Sequence, residues 1–460
     1  MNAYLLNRQL GSISPQSLAD AQNNRLLRAL QLAPGVKFAL SGGSRVNNNA
    51  QDVSSNDVEN DAHSAGVSSL VVDPFEGRYL LSAGADSSVA IWDLESNDFE
   101  STPSTLNTPT GYAVRTSTKA ALGITHIGFY PFDSLAFLTS GYDHTLKLFS
   151  SETLQASASF DLDSIVYSHS VSSIASHLLV ACASQHPAVR LVDLRSGAST
   201  HSLAGHSGSV LAVVWHPKDE NILASGATDG CLRLWDVRRS ASSLGVLDME
   251  DSIGITGYDG RGTGARRRER GRAHNGAVNG IAWTDNGQYL VSVGHDERMR
   301  VWDMMTGANT LANFGPGLKN AHTTALFPLL APSHLSPAGQ EVVYYPNPRE
   351  VLSFDLHSGT SLGRLRTPGP QSTAMSGFGA RNVKARTTSL AWRAHDIEMY
   401  SGHGDGSIRC WKPRTWEDAE VEKEEKEEDG SADKEEERKR KREELDEIVR
   451  DLTKKKTTFT

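Results

Sequence analysis

The stretch SGATDGCLRLWDV, residues 225–237, decides the fold. Small residues lead to a turn aspartate, Asp229, and an aromatic residue, Trp235, follows six positions later. Between them Leu232 and Leu234 lie on one face of an alternating pattern, which is typical of a β-strand with two distinct sides. The Thr-Asp-Gly cluster before that strand is typical of a hairpin turn. The stretch therefore predicts a hairpin whose last strand ends at an aromatic residue.

The same pattern recurs along the chain, which indicates a repeat architecture. Four further copies keep the six-residue offset: SAGADSSVAIWDL (82–94), TSGYDHTLKLFSS (139–151), SVGHDERMRVWDM (292–304) and SGHGDGSIRCWKP (401–413). Two weaker copies fill the gaps: ASQHPAVRLVDL (183–194) and YPNPREVLSFDL (345–356). The seven endpoints are Trp92, Phe149, Val192, Trp235, Trp302, Phe354 and Trp411, with spacings of 57, 43, 43, 67, 52 and 57 residues.

These copies resemble the WD40 repeat family, whose repeat is about 40–45 residues long. Seven copies then imply an all-β, seven-bladed propeller with inserted loops where the spacing is longer. A second family signature, Gly-His or a variant about 29 residues before Trp, occurs at Gly205-His206 and Ala273-His274.

In the WD40 family a His, a strand Ser or Thr, the turn Asp and the Trp form a buried hydrogen-bonded set. The matching residues are His206, Ser225, Asp229 and Trp235 in blade four, and His274, Ser292, Asp296 and Trp302 in blade five. A buried polar network is stable only when every member is satisfied. We therefore expect structural tetrads here, not catalytic or metal sites.

The ring needs a strand from elsewhere to close, because the last repeat ends soon after Trp411 and an open sheet edge favours aggregation. Residues 36–40 (VKFAL) are our candidate for this closing strand. We expect disordered insertions at 43–62, which is rich in Asn, Ser and Asp, and at 251–272. The predicted domains are an arm at 1–34, the propeller at 35–416 and a charged tail at 417–460.

A helical arm is predicted before the propeller. Ser14 followed by Pro15 is a helix-start signal. The residues that follow place one apolar stripe on a helix: Ala19, Leu26, Leu27 and Leu30. A shorter segment lies upstream of a break at Gly11-Ser12 and contains Tyr4, Leu5, Leu6 and Arg8. The pattern fits either a cap on the propeller or an arm whose apolar face enters a partner's groove.

The charge is unevenly spread along the 460 residues. The whole chain has 46 Lys+Arg and 55 Asp+Glu, a net of −9, and residues 417–460 hold 18 acidic and 12 basic side chains, a net of −6. The body is therefore nearly neutral, which argues against a general polyanion binder. We expect the tail to be mostly disordered and to carry a nuclear-import signal in its basic run, Arg438, Lys439, Arg440, Lys441 and Arg442.

One other basic segment stands out. Residues 261–272 (RGTGARRRERGR) contain six Arg and one Glu, between blades four and five. Such a loop could contact nucleic-acid phosphates, but it has no interleaved aromatic residue for base stacking. Direct nucleic-acid binding is therefore not our expectation.

Several classes of protein are excluded by what the sequence lacks. No stretch approaches the roughly 18 apolar residues of a membrane span, and no secretory signal is visible. The three cysteines, Cys182, Cys231 and Cys410, are far apart, which argues against a disulfide framework. No P-loop, HExxH helix or G-x-S-x-G elbow occurs. We expect no enzyme, no cofactor and no metal.

Several stretches together resemble the Cockayne syndrome A-type WD-repeat proteins, the substrate receptors of cullin-4 ubiquitin ligases in transcription-coupled nucleotide excision repair. They are residues 8–11 (RQLG) with the helix near 25–32, 76–82 (EGRYLLS), 232–239 (LRLWDVRR), and 273–276 (AHNG) leading to 299–302 (MRVW). The resemblance runs from about residue 5 to 412.

This resemblance implies a nuclear, non-catalytic receptor that binds the ligase's damaged-DNA-binding adaptor through its arm and one propeller face. The family's Trp-Asp-x-Arg box is matched by Trp235, Asp236 and Arg238. The arm would supply Leu5, Leu6, Arg8, Leu26, Leu27 and Leu30. Further implied partners are a Cockayne syndrome B-type repair translocase and stalled RNA polymerase II.

Some features depart from that family and keep alternatives open. Phe149-Ser150 replaces the Trp-Asp of blade two, and the Arg-rich insertion and the charged tail are extra. One alternative is a chromatin- or histone-binding WD40 scaffold outside a ligase. Another is a direct DNA-damage binder using residues 261–272, which the nearly neutral body disfavours.

Overall fold

The computed structural model describes residues 2–11, 14–33, 36–40, 62–95, 105–114, 122–197, 199–239, 243–250, 271–337, 339–366, 386–393 and 395–414. Two helices open the chain, α1 (Asn2–Gln9) and α2 (Pro15–Arg28), and Gly11 between them has a positive φ of 71°. Two short strands follow, β1 (Leu30–Leu32) and β2 (Val36–Phe38). Within the described residues no helix has the length and apolar character needed to cross a bilayer.

Among the described residues, β1 and all but one of the later strands build seven four-stranded sheets, the blades of a closed propeller. Blades one to three contain β3 (Val67–Val72), β4 (Tyr79–Gly84), β5 (Ser88–Asp93) and β7 (Pro109–Val114); β8 (Ile124–Phe129), β9 (Ala136–Gly141), β10 (Thr145–Ser150) and β11 (Ala156–Asp161); and β12 (Val166–Val171), β13 (Leu179–Ser184), β14 (Ala188–Asp193) and β15 (Ser199–Ala204). A short strand β6 (Thr105–Asn107) lies between β5 and β7 in the chain.

Blades four and five contain β16 (Val210–Trp215), β17 (Ile222–Ala227), β18 (Leu232–Asp236) and β19 (Ser243–Leu247), then β20 (Val278–Trp283), β21 (Tyr289–Gly294), β22 (Met299–Asp303) and β23 (Ala308–Asn309). Blade six contains β24 (Leu329–Leu330), β25 (Val342–Pro346), β26 (Glu350–Asp355) and β27 (Ser361–Arg366). Blade seven contains β28 (Thr387–Arg393), β29 (Glu398–His403), β30 (Ile408–Pro413) and β1. The predicted seven-bladed, all-β propeller is confirmed.

Each predicted repeat endpoint lies near the end of the third strand of its blade, including the weak copies at Val192 in β14 and Phe354 in β26. Apolar residues bring the blades together, because each blade buries both of its faces against neighbours. Among the described residues seven buried clusters occur, and each joins two adjacent blades.

The strand that closes the ring differs from our prediction. β1, not residues 36–40, pairs with β30 as the outer strand of blade seven. Residues Val36–Phe38 instead pair in parallel with Thr105–Asn107, and Phe38 packs edge-on against Trp92 and Tyr400 at the joint between blades one and seven. The propeller therefore begins at Leu30, and the arm ends before the predicted boundary at residue 34.

The far boundary also differs slightly from the predicted one at 416. Residues Met1–Lys412 form one unit, and the chain from Pro413 onward forms another, of which residues 413 and 414 are described. The predicted nuclear-import signal at 438–442 lies outside the described residues, as do the insertions except for residue 62 and residues 271–272.

Two faces of the ring follow from the strand order. Neighbouring strands within a blade are antiparallel, as in β16–β17 and β17–β18, so consecutive connections emerge on opposite sides. Connections from first to second strands and from third to fourth strands share one face, which holds Arg238 and is called the Arg238 face. The second-to-third turns and the blade-to-blade connections form the other face, called the turn face.

Candidate functional site

The residues of the predicted blade-four tetrad form one buried hydrogen-bonded chain. The Trp235 Nε1 donates to Ser225 Oγ at 2.7 Å, and Ser225 Oγ lies 2.8 Å from His206 Nε2. The His206 Nδ1 lies 3.1 Å from Asp229 Oδ2. A neutral His206 with its proton on Nδ1 satisfies every member, since Trp donates to Ser, Ser to His, and His to Asp.

The turn aspartate anchors this chain. Burial raises the pKa of Asp229, but hydrogen bonds from His206 and from the amides of Ser207 and Cys231 outweigh it and hold the pKa below its ordinary value. The carboxylate therefore stays ionised and also fixes the hairpin turn, because the Cys231 amide donates to Asp229 Oδ1 at 2.9 Å. These contacts account for Asp229 and His206 without a catalytic role.

The blade-five residues have the same geometry. His274 Nε2 lies 2.8 Å from Ser292 Oγ, and the Trp302 Nε1 donates to that oxygen at 2.9 Å. His274 Nδ1 lies 2.9 Å from Asp296 Oδ1. Burial lowers the pKa of His274, which keeps it neutral at pH 7 despite the neighbouring Asp296 carboxylate.

Sequence reasoning missed a third such set in blade one. His63 Nε2 lies 2.7 Å from Ser82 Oγ, and the Trp92 Nε1 donates to that oxygen at 2.9 Å. The Ser88 hydroxyl stands between His63 Nδ1, 2.6 Å away, and Asp86. His63 precedes Trp92 by 29 residues, close to the spacings of 29 and 28 in blades four and five, so that spacing could have found it.

The Trp-Asp-x-Arg box separates into buried and exposed parts. Trp235 is completely buried and Asp236 is buried beneath the strand end, whereas the Arg238 side chain is 66% exposed. Asp236 accepts two bonds from the guanidinium, with Nε and Nη2 each at 3.0 Å. Of the five N–H groups of Arg238, three remain for another acceptor. Of these three residues, only Arg238 is therefore placed to touch a partner.

The position of Arg238 is fixed by a turn that recurs in other blades and does not depend on Trp235. In five blades the aspartate that ends the third strand accepts a hydrogen bond from the amide two residues later, at 2.9–3.0 Å. The residues so presented are Glu95, Arg195, Arg238, Met305 and His357. The second, partial box at 192–195 thus has the same backbone geometry although Val192 replaces Trp.

The Arg238 face also exposes large apolar side chains, which sequence reasoning missed. Four of them, Phe75, Phe132, Leu135 and Ile174, lie in the connections between the first and second strands of blades one to three. The fifth, Met305, lies in the turn after the third strand of blade five. Their exposed fractions range from 42% to 87%. Pro-Phe pairs at 74–75 and 131–132, inside turns, were the available signal. Exposed apolar side chains on adjacent blades are typical of a protein-binding surface, and the turn face has others at Leu122, Tyr142 and Leu311.

The arm packs on this same face. Its α2 donates from Asn24 Nδ2 to Gln340 Oε1 at 2.8 Å, and the Tyr344 hydroxyl donates to the Leu27 carbonyl at 3.2 Å. Gln340 belongs to the connection between the first and second strands of blade six. The arm therefore joins the face that holds Arg238.

The predicted adaptor-binding residues of the arm differ in how far they are buried. Leu27 and Leu30 are only 3% and 2% exposed, because they fill a core cluster with Ala331, Tyr344 and Trp411. Our assignment of these two leucines to the adaptor contact is inconsistent with their burial in the propeller itself. Leu26 is half-buried, whereas Leu6, Leu10 and Arg8 are exposed. Leu5 lies in α1.

The central channel of the ring opens on the Arg238 face into a cavity of about 410 Å³, which includes Trp215, Trp283 and Phe327. The wall holds a histidine pair, with 3.4 Å between the Nδ1 atoms of His126 and His169. Burial lowers the pKa of His126 to about 4, and burial with the nearby His126 lowers that of His169. Both rings are therefore neutral at pH 7 and add no charge to this opening.

Reactive groups are scarce in the described part of the chain. All three cysteines are buried and free, and burial raises the pKa of Cys182 and Cys410 to about 12. A thiol with a raised pKa is a poor nucleophile at neutral pH. Within the described residues no group of three or more His, Cys, Asp or Glu is arranged to hold a metal ion.

Three segments match the family model "WD domain, G-beta repeat": residues 58–93, 197–236 and 268–303. Each ends at the aspartate after Trp92, Trp235 or Trp302 and contains the His of the corresponding tetrad. The family match thus falls on the three blades whose His, Ser and Trp residues are described above.

The chain is also similar to curated proteins. It is 28% identical to the WD repeat-containing protein ATCSA-1 of Arabidopsis thaliana, over 91% of this chain and 96% of that protein. Ribosome biogenesis protein ytm1 of Emericella nidulans is 26% identical over 53% of this chain and 54% of its own length. The ytm1 of Aspergillus niger is 25% identical over 52% of each chain. Three segments of the chain therefore match the WD40 repeat model, and the chain folds as a seven-bladed propeller.

Proposed function

We propose that this protein is the substrate-recognition subunit of a cullin-4 ubiquitin ligase that acts in transcription-coupled nucleotide excision repair. It would bind the damaged-DNA-binding adaptor through α1 and the Arg238 face, and the ubiquitin transfer would be done by other subunits. The observation that carries the proposal is the location of the arm, which packs on the same face as the Arg238 box.

Two further findings support it. The similarity to ATCSA-1 covers 91% of this chain and 96% of that protein, so it extends well beyond the three segments that match the repeat model. The Arg238 face combines exposed apolar residues with an oriented guanidinium, and stable interfaces commonly pair apolar anchors with arginine.

The wider assignment rests on the resemblance to Cockayne syndrome A-type proteins. It includes a nuclear location, served by the basic run at 438–442, and partners that comprise a Cockayne syndrome B-type translocase and stalled RNA polymerase II. A fluorescent fusion should be nuclear, and replacing the five basic residues by alanine should leave it in the cytoplasm.

The adaptor contact is tested by titrating purified adaptor with the full chain. A chain carrying Arg238→Asp and Leu6→Asp should bind at least about 10-fold more weakly, since it loses a charge-assisted contact and an apolar anchor. Both side chains are exposed, so the fold should be retained. The matched control is Arg298→Asp, an exposed arginine on the turn face, which should bind like the wild type. Equal binding by all three chains would refute the proposal.

A further inference from the structure

The turn face has a cavity of about 490 Å³ at the end of the central channel. We call it the channel mouth and define it by Tyr142, Tyr167, His322, Thr324, Arg386 and Thr388. Tyr142 follows β9 at a second-to-third turn, and Arg386 directly precedes β28. The channel mouth therefore opens on the face opposite Arg238.

Four hydrogen-bonding side chains in the channel mouth have no partner among the described residues. They are the Arg386 guanidinium, the His322 imidazole and the hydroxyls of Tyr142 and Tyr167, for which the structure gives no side-chain hydrogen bond or ion pair. Two other half-buried arginines have carboxylate partners, Arg300 with Asp296 at 2.8 Å and Arg409 with Asp405 at 3.3 Å. Arg386 has no such partner among the described residues, and it differs from Arg190 and Arg233, which also have none, in lining a cavity.

The positive charge of the channel mouth is not balanced by a lining carboxylate, since among the described residues no Asp or Glu lines the cavity. A cation withdrawn from water without a counter-charge costs free energy, which an anion bound beside it would offset.

Burial in the channel mouth lowers the pKa values of both of its basic side chains. Burial lowers the pKa of Arg386, and burial together with the Arg386 charge lowers the pKa of His322. His322 is thus neutral at pH 7 and can act as a hydrogen-bond donor or acceptor. Within the residues that define the channel mouth, Arg386 supplies the single positive charge, in a planar fork that matches a carboxylate or phosphate.

The geometry points to a recognition site for one anionic side chain, a carboxylate or a phosphate, presented by a segment of a partner protein. A single cation flanked by tyrosine hydroxyls suits one anionic group, whereas a nucleic-acid backbone needs a row of cations. The apolar wall formed by Val67, Ile124 and Ala325 would contact the aliphatic or backbone part of that segment. The inference does not rest on adaptor binding, because the two sites are on opposite faces.

The test uses a phage-displayed library of random 12-residue peptides selected on the purified full chain. The selected peptides should share an Asp or Glu at one position. In fluorescence anisotropy, replacing that residue by its amide, or Arg386→Gln in the protein, should weaken binding at least about 10-fold. Selected peptides without a shared acidic residue, or unchanged affinity in the Arg386→Gln chain, would overturn the inference.

Controls separate binding from folding and from the adaptor contact. Arg298→Gln, an exposed arginine elsewhere on the turn face, should bind the peptide like wild type. Should Arg386→Gln fold poorly, Tyr167→Phe tests the same site by removing one hydroxyl, with an expected loss of about three- to ten-fold. Arg238→Asp should keep full peptide affinity, so a failed adaptor assignment is distinguished from a failed channel-mouth assignment.

A final comparison of peptides distinguishes the two sources of the anion. Phosphoserine replaces the shared acidic residue in the selected peptide, and the affinities are compared. Tighter binding of the phosphopeptide assigns the site to phosphorylated segments, and weaker binding assigns it to Asp or Glu. Either result supports an anion site, whereas equal affinity of the acidic peptide, the phosphopeptide and the amide peptide would contradict one.

Discussion

Arg238 shows that a short motif can combine residues with different tasks. Trp235 lies in the core, Asp236 fixes a turn, and only Arg238 reaches solvent. Arg195 is presented by the same turn although its blade has Val192 instead of Trp. The motif marks the end of a third strand, and the residue two positions after the aspartate determines what the face offers a partner.

The tetrads make a stability prediction at the residue scale. Asp229→Asn should lower the free energy of unfolding by about 1.5–3 kcal/mol at pH 7, because the ionised carboxylate accepts bonds from His206 and two amides. The folded pKa is depressed, so this stabilisation is present above the unfolded pKa of about 3.9 and is lost as pH falls below it. Urea unfolding at pH 7, 5, 4 and 3 measures both effects.

The matched control is Asp163→Asn, an exposed aspartate whose positive φ of 56° asparagine also tolerates. It should change stability by no more than about 0.5 kcal/mol at any of these pH values. The difference between wild type and Asp229→Asn should shrink below pH 4. A difference that is constant down to pH 3 would be inconsistent with a depressed Asp229 pKa.

The closing strand shows where sequence patterns are ambiguous at the element scale. Leu27 and Leu30 fit one helical stripe, yet α2 ends at Arg28 and Leu30 begins β1. A three-residue strand is too short to show alternation, and its partner β30 is almost 380 positions away in the chain. Residues 36–40 have stronger strand character, but they pair beside the ring instead of closing it.

Two truncations test the division between arm and ring. Deleting residues 2–33 should open the edge of β30 and empty the core sites of Leu27 and Leu30, each worth about 2–5 kcal/mol. We expect aggregation or a much lower urea midpoint, measured by light scattering and urea unfolding. Deleting residues 2–11 removes only α1 and should leave a monomer with the wild-type midpoint. A stable monomer after the longer deletion would mean that β1 is dispensable.

The number and order of the blades were predictable because seven repeat endpoints carry the same local pattern, even where Phe149 or Val192 replaces Trp. The blade-one histidine was missed because His63 directly follows the Asn/Ser/Asp-rich segment 43–62, which was assigned to a disordered insertion. The channel mouth could not be predicted, since Tyr142, His322 and Arg386 meet only when the ring closes. Local periodicity determines elements, whereas sites made by closure need the structure.

At the scale of the whole molecule, the ring separates two surfaces. The Arg238 face combines the arm, an oriented arginine and exposed apolar side chains such as Phe132 and Met305. The turn face carries the channel mouth with Arg386, which no described residue pairs. A receptor must hold two partners at once, and surfaces on opposite sides of a rigid ring allow this without competition.

Hydrogen–deuterium exchange of the full chain, with and without purified adaptor, tests this arrangement most directly. Adaptor should protect amides in α1 and in the connections that contain Phe75, Phe132 and Arg238. The turns at 85–87, 228–230 and 295–298 should exchange at the same rate in both samples. Protection confined to those turns, or no protection anywhere, would contradict adaptor binding through the Arg238 face.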